Sequence, residues 1–227
     1  MQIASWTCPL PSGGSSEELV VAFDKGRTNR VLVIPALFDE ANKLRRQTVE
    51  VMRRLDESGV DCFLPDMPGM NESLEPQGEQ TLEGWREAAK AAAARFSATH
   101  VFSWRGGVLL APDHLHGWRY APQTGAKQLR SMLRARTISA REAGLEETLA
   151  ELQELGRAEG IELAGWQLGA AMFAALEAAE PQSVDSQSEI AQADIGGAGL
   201  WLRAEPDEDS GQADAISAII ATALSAS

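Results

Sequence analysis

The chain predicts an α/β fold, a mostly parallel sheet with helices on both faces. Short apolar, β-branched runs of buried-strand type alternate with stretches whose apolar residues recur at helical spacing, which is the pattern of strand–helix–strand units. At 227 residues the chain fits one large domain and can bury a sizeable core without disulfide or metal staples. No internal repeat and no clear linker divides it. Residues 1–227 are therefore read as one domain, with 1–16 a flexible N-terminal segment because 12–16 read SGGSS.

Each element follows from local pattern. Residues 19–23 form a short apolar run, an edge or early strand. Residues 30–35 (RVLVIP) have the composition of a strand buried on both faces. A helix is expected over 42–57, with Leu44, Val51, Met52 and Leu55 on one stripe and Gly59 where a helix-ending glycine belongs. Residues 60–65 (VDCFLP) make the next strand and run into the loop Asp66-Met67-Pro68-Gly69. Thr81 opens a second helix whose stripe of Leu82, Trp85, Ala89, Ala92 and Phe96 reads as core. Residues 99–104 (THVFSW) are a third strand and 117–121 a fourth. Helices are expected over 127–136 and 145–157, a strand over 161–166 and an Ala-rich helix over 168–179. Residues 181–194 read as an exposed acidic loop, 199–203 (GLWLR) as a late strand, and 214–224 as a closing helix.

Composition narrows the function classes. A formal charge of −13 argues against a nucleic-acid partner, since no basic face is present to neutralise phosphates. No run of about 18 apolar residues marks a membrane span. The first residues lack the basic start and apolar stretch of a signal peptide, so a cytoplasmic location is expected. The two cysteines, Cys8 and Cys62, are too few for a disulfide scaffold, and Cys62 reads as a small core residue. No cofactor is expected.

Residues 31–46 read VLVIPALFDEANKLRR. This stretch resembles the segment after the third strand in exosortase-associated α/β-hydrolase-like proteins. Asp66-Met67-Pro68-Gly69 with Ser73, the run 103–107 (SWRGG), residues 118–136 and residues 164–175 (AGWQLGAAMFAA) follow in the order the resemblance requires. It spans roughly residues 30–176, about two-thirds of the chain. It implies an α/β-hydrolase fold and a bacterial setting beside an exosortase and exopolysaccharide system. In that fold a G-x-S-x-G elbow exposes a nucleophilic serine, and an acid and a histidine follow later in the chain.

The chain departs from that pattern at the decisive position. The run 103–107 puts Arg105 where the nucleophile belongs, and a guanidinium stays protonated and has no lone pair to attack with. The three histidines, His100, His114 and His116, all precede the second half's later elements, where the base is expected. The elbow region 106–116 is also short for a parallel crossover, which needs about a dozen residues.

Three readings follow. The first is a degenerate hydrolase-like protein that binds an anionic ligand or a partner. Its binding edge would comprise Arg105, Phe38, Asn42, Lys43, Arg46 and Asp66, with Arg45 beside them. Arginine forks match carboxylate, phosphate or sulfate. The same cations would instead pair internally if Asp39, Glu40 or Asp66 lies against them. The second is an active serine esterase, thioesterase or acyltransferase using Ser103, with His114 or His116 as base, Asp113 or Asp66 as orienter, and backbone N–H groups near Trp104 and Phe38 as oxyanion donors. Asp113, His114 and His116 also form a conceivable metal half-site, but no metal is assigned. The third is a scaffold protein using the basic helix 127–136, with Lys127, Arg130, Arg134 and Arg136, to hold an acidic partner or the chain's own acidic tail.

Overall fold

The computed structural model describes residues 1–226. Its main sheet has seven strands: β1 (Gln2–Pro9), β2 (Ser15–Phe23), β3 (Arg30–Ile34), β4 (Asp61–Pro65), β5 (His100–Trp104), β6 (His116–Tyr120) and β9 (Gln187–Ile190). They lie in the order β1-β2-β4-β3-β5-β6-β9. The β1–β2 and β2–β4 pairs are antiparallel, and every pair from β4 to β9 is parallel. The order reverses at β3, whose neighbours are β4 and β5. In open α/β sheets ligands bind at such a switch point, beyond the carboxyl ends of the strands.

The central strands are short because both faces are covered, leaving β3, β4 and β5 almost wholly buried. One face packs against α2 (Leu82–Arg95), whose Leu82, Trp85, Ala89 and Ala92 are buried as the stripe predicts. The other packs against α1 (Asp39–Glu57) and α7 (Ser210–Ser225), which bury Leu44, Val51, Met52 and Leu55 against Ile216 and Ile220. Each such aliphatic side chain contributes roughly 1.5–3 kcal/mol of burial. Thr81 caps α2 by accepting the Gly84 amide, and Gly59 takes the left-handed conformation after α1.

Between β6 and β9 the chain builds a cap: α3 (Gly125–Glu142), α4 (Leu149–Ala158), the hairpin β7 (Ile161–Leu163) and β8 (Trp166–Leu168), and α5 (Ala170–Ala178). A short helix, α6 (Gln192–Ile195), follows β9.

Four expectations are corrected. Residues 1–16 are not a flexible lead: 2–9 form β1, which turns Trp6 and Cys8 into the core, and SGGSS lies at the turn into β2. Residues 161–166 are not one strand, because Ala164 and Gly165 both take positive φ and turn the chain into a two-residue hairpin. The acidic stretch 181–194 contains β9, the last strand of the sheet, which needs only Gln187 and Ile190 to face inward. Residues 199–203 form a 3-10 turn, Leu200–Leu202, rather than a strand.

Candidate functional site

The connection from β5 to β6 decides the site. It is brief and holds one 3-10 turn, Arg105–Leu109, which packs against the sheet. The chain turns at Arg105, which has φ 51°, a left-handed conformation that a non-glycine residue adopts at a cost of about 1–2 kcal/mol. The flanking small residues explain how the turn fits. Ser103 is fully buried on β5, and a Cβ on Gly107 would stand 2.1 Å from the Pro35 carbonyl oxygen at the end of β3. The run 103–107 therefore makes a tight strand-end turn at the switch point, with Arg105 at its apex.

The Arg105 guanidinium does not project into open space. Nε donates to Glu40 Oε2 at 3.0 Å, and Nη2 donates to Glu40 Oε1 at 3.2 Å. Nη1 donates to the Ala121 carbonyl at 3.0 Å, and Nη2 also donates to Gln123 Oε1. Four of the five N–H groups are thus occupied. The Trp201 ring lies under the guanidinium carbon at 4.0 Å, a cation–π distance. Gln123 Nε2 extends the network to Gln128 Oε1 at 2.9 Å, and Gln128 Nε2 reaches Asp39 Oδ1 at 3.4 Å.

Glu40 is in place because it occupies the first turn of α1, where carboxylates are favoured by the helix dipole. It is 6% exposed. Burial pushes its carboxyl above the usual range, against the pull of Arg105. Sequence reasoning places Glu40 near the cations but gives it no special weight over Asp66. The partners Gln123 and Trp201 come from the cap entrance and from the 3-10 turn after α6, and no local pattern announces either.

The other residues of the expected binding edge are dispersed into pairs. Lys43 meets Asp39 at 3.4 Å. Arg45 meets Asp66 at 3.2 Å, and Asn71 donates to Asp66 at 2.6 Å. Burial raises Asp66 above the ordinary carboxyl range despite Arg45. Arg46 is exposed and bonds Glu208, and Asn42 is exposed. Phe38 is buried, with φ 56°, and its ring packs 5.7 Å from both Trp85 and Trp166, tying the cap hairpin to the sheet. An Arg105–Asp66 pair, one of the internal pairings the sequence allows, does not form; Glu40 takes that place.

The groups of the serine reading are not brought together. Ser103 Oγ is buried and donates to the Trp118 carbonyl at 3.5 Å. His116 pairs with His100 at the opposite end of the β5–β6 ladder, three residues from Ser103 along the strand, or roughly 10 Å. His114 is exposed in the loop before β6, with Nδ1 4.0 Å from Asp113. Among the described residues, no group of three or more His, Cys, Asp or Glu side chains is arranged to hold a metal ion, so Asp113, His114 and His116 gain no further ligand. No described helix is long and apolar enough to cross a membrane.

No family model and no curated relative matches the chain. Solved structures do. The esterase domain of a Rhodothermus marinus protein matches over 99% of this chain and 98% of its own, at 14% identity and a TM-score of 0.51. Est1E from Butyrivibrio proteoclasticus, solved with ferulic acid bound, matches over 77% and 71%, at 14% identity and a TM-score of 0.49. A proline iminopeptidase-related protein from Thermus thermophilus matches over 70% of this chain, at 19% identity and a TM-score of 0.46, and the chain spans 57% of that protein's length. At these identities the likeness speaks to architecture alone. Together with the strand order and the tight turn after β5, the full-length match gives this chain an α/β-hydrolase-like fold.

Proposed function

We propose that this chain is a hydrolase-like protein that works without Ser-His-Asp chemistry and acts by binding a partner, in the exosortase and exopolysaccharide setting that the sequence resemblance implies. The observation that carries the reading is Arg105 at the apex of the turn after β5, held in a bidentate pair with Glu40. An arginine there supplies no nucleophile. Its network ties together α1, the β5–β6 turn, the entrance to the cap and the turn bearing Trp201, and so serves as a structural lock at the switch point.

A partner is favoured over a small anion for a geometric reason. An anion at Arg105 would compete with Glu40, Gln123 and the Ala121 carbonyl for a guanidinium with one N–H to spare. Displacing Glu40 would leave a buried carboxylate unpaired, at a cost of several kcal/mol.

The test is intact-mass spectrometry after treatment with a fluorophosphonate serine-hydrolase probe, beside an esterase control. The expected result is no adduct. An adduct mapping to Ser103, and lost in Ser103→Ala, would overturn the reading and restore the serine esterase or acyltransferase alternative.

A further inference from the structure

The unpaired positive charge of this acidic chain is concentrated on one helix. Among the described residues, six of the twenty lysines and arginines have no carboxylate partner within 4.0 Å. Four of the six, Lys127, Arg130, Arg134 and Arg141, lie on α3 in the cap, and all four are exposed. At 100° per residue they fall within about 60° of one another, a basic stripe over roughly 21 Å of helix. The opposite side of α3 is spoken for, since Leu129, Met132 and Leu133 are buried against the cap core.

A groove of mixed character, part leucine and part polar, runs beside the stripe. A cavity of about 340 Å³ opens between α3 and α4, with Ala126, Leu129, Leu133 and Leu149 among its walls and Arg130 and Arg134 at its rim. Leu149 in the groove wall is 41% exposed, and Ile138, on the stripe side of α3, is 59% exposed. A groove between two helices, walled by leucines and edged by arginines, has the chemistry that receives an amphipathic helix.

We infer that the α3–α4 groove of the cap is a docking site for an acidic amphipathic helix of a partner protein, with leucine-type side chains in the groove and carboxylates on Arg130, Arg134 and Arg141. Charge selects the occupant. Among the described residues that line the groove, the cations Arg130 and Arg134 are on the α3 side, whereas Glu177 on the other wall is already paired with Arg157 at 2.7 Å. The chain's own acidic segment is not free to fill the groove. Glu208 is bonded to Arg46, Asp214 to Arg54, and the Asp209 backbone to Gln47 through both its N–H and its carbonyl, all on α1. A second copy would present the same committed segment. The inference deepens the partner-binding reading, and its test is separable from that one: probe labelling reports on the turn at Arg105, and peptide binding reports on the cap.

The experiment uses the full chain and a labelled, stapled helical peptide with leucines at i, i+3 and i+7 flanked by glutamates, followed by fluorescence anisotropy at low and high salt. Saturable binding is expected that weakens with salt. It should fall about tenfold or more in Arg130→Glu/Arg134→Glu, where attraction becomes repulsion. It should also fall in Leu149→Asp and stay unchanged in Arg95→Glu, which removes an exposed unpaired cation on α2. All these positions are exposed, and a thermal melt verifies that each variant is folded. Equal binding of a permuted peptide with no apolar seam would overturn the inference, as would full binding by the charge-reversed variant. Capture by phosphatidylglycerol vesicles without peptide binding would reassign the face to lipid. Concentration-dependent dimerisation lost in the Arg130→Glu/Arg134→Glu variant would reassign it to self-association.

Discussion

The two ends of the parallel strands each hold a buried arginine–carboxylate cluster, and the two clusters are built differently. At the N-terminal end Asp61, the first residue of β4, is fully buried and accepts four hydrogen bonds. Two come from the backbone amides of Lys25 and Arg27, at 3.0 and 2.8 Å, and two from the guanidiniums of Arg27 and Arg30, at 3.2 and 3.0 Å. At the C-terminal end Glu40 accepts from Arg105 alone, and Arg105 sits in a strained backbone conformation. The first cluster fixes a loop to the strand beneath it by satisfying backbone groups that have nowhere else to go. The second relies on side chains gathered from four separate segments, at the edge where this fold ordinarily binds ligands. Identical charge chemistry thus serves as a staple at one edge and as a plug at the other.

The largest effect expected from this contrast is at Asp61. Asp61→Ala leaves two backbone amides and part of two guanidiniums without acceptors, and should cost roughly 3–5 kcal/mol of unfolding free energy in urea titrations. Glu40→Ala should cost less, roughly 2–3 kcal/mol, because Arg105 keeps the Ala121 carbonyl, Gln123 and the Trp201 ring. If Glu40→Ala proves as costly as Asp61→Ala, backbone satisfaction is not what separates the two sites. If Glu40→Ala costs nothing, the plug has no hold on the fold and Arg105 is available to a ligand.

The staple is hidden in the sequence and the plug is half visible. The central strands and the helices around them are legible because burial on both faces favours β-branched and aromatic runs, continuous at 31–34 and interrupted by Ser103 at 101–104, and because α1, α2 and α7 need one apolar stripe each. β1 and β9 are not legible in the same way. Each buries only two side chains, Trp6 and Cys8 in one and Gln187 and Ile190 in the other, and the rest of each strand is exposed, so no buried-strand run marks it. The cap hairpin does carry a readable signal, Ala164-Gly165 between two apolar pairs, but the reading of a continuous apolar strand masks it. Arg105 stands out because a motif has an expected residue at that place. Its partners do not, since Gln123 and Trp201 are brought to it only by the tertiary arrangement. The basic helix 127–136 is visible as composition, and only the structure extends it to Arg141 and separates its free cations from Arg136, which is paired with Glu147 at 2.7 Å.

A third buried carboxylate extends the comparison to a site with no cation at all, and there the expected effect is smallest and depends on pH. Glu18 on β2 is 1% exposed. Its Oε1 accepts from the Ser16 and Ser73 hydroxyls at 2.7 and 2.9 Å, while Oε2 has no partner. Burial pushes its carboxyl above the ordinary range, the two hydroxyls pull it back, and Glu75 and Asp66 push it further up. The folded state therefore holds the Glu18 proton more tightly than the unfolded chain does. As pH rises through the ordinary carboxyl range towards the folded value, the unfolded state releases its proton first, and the native protein loses stability. Below that window the group contributes no penalty, and above it the penalty is constant. Glu18→Gln, which cannot ionise, should lack this decline. Urea midpoints of the native and Glu18→Gln chains, measured from about pH 4 to about pH 8, should diverge with rising pH in favour of the variant. Curves that stay parallel would mean that Glu18 ionises in the fold as easily as in water.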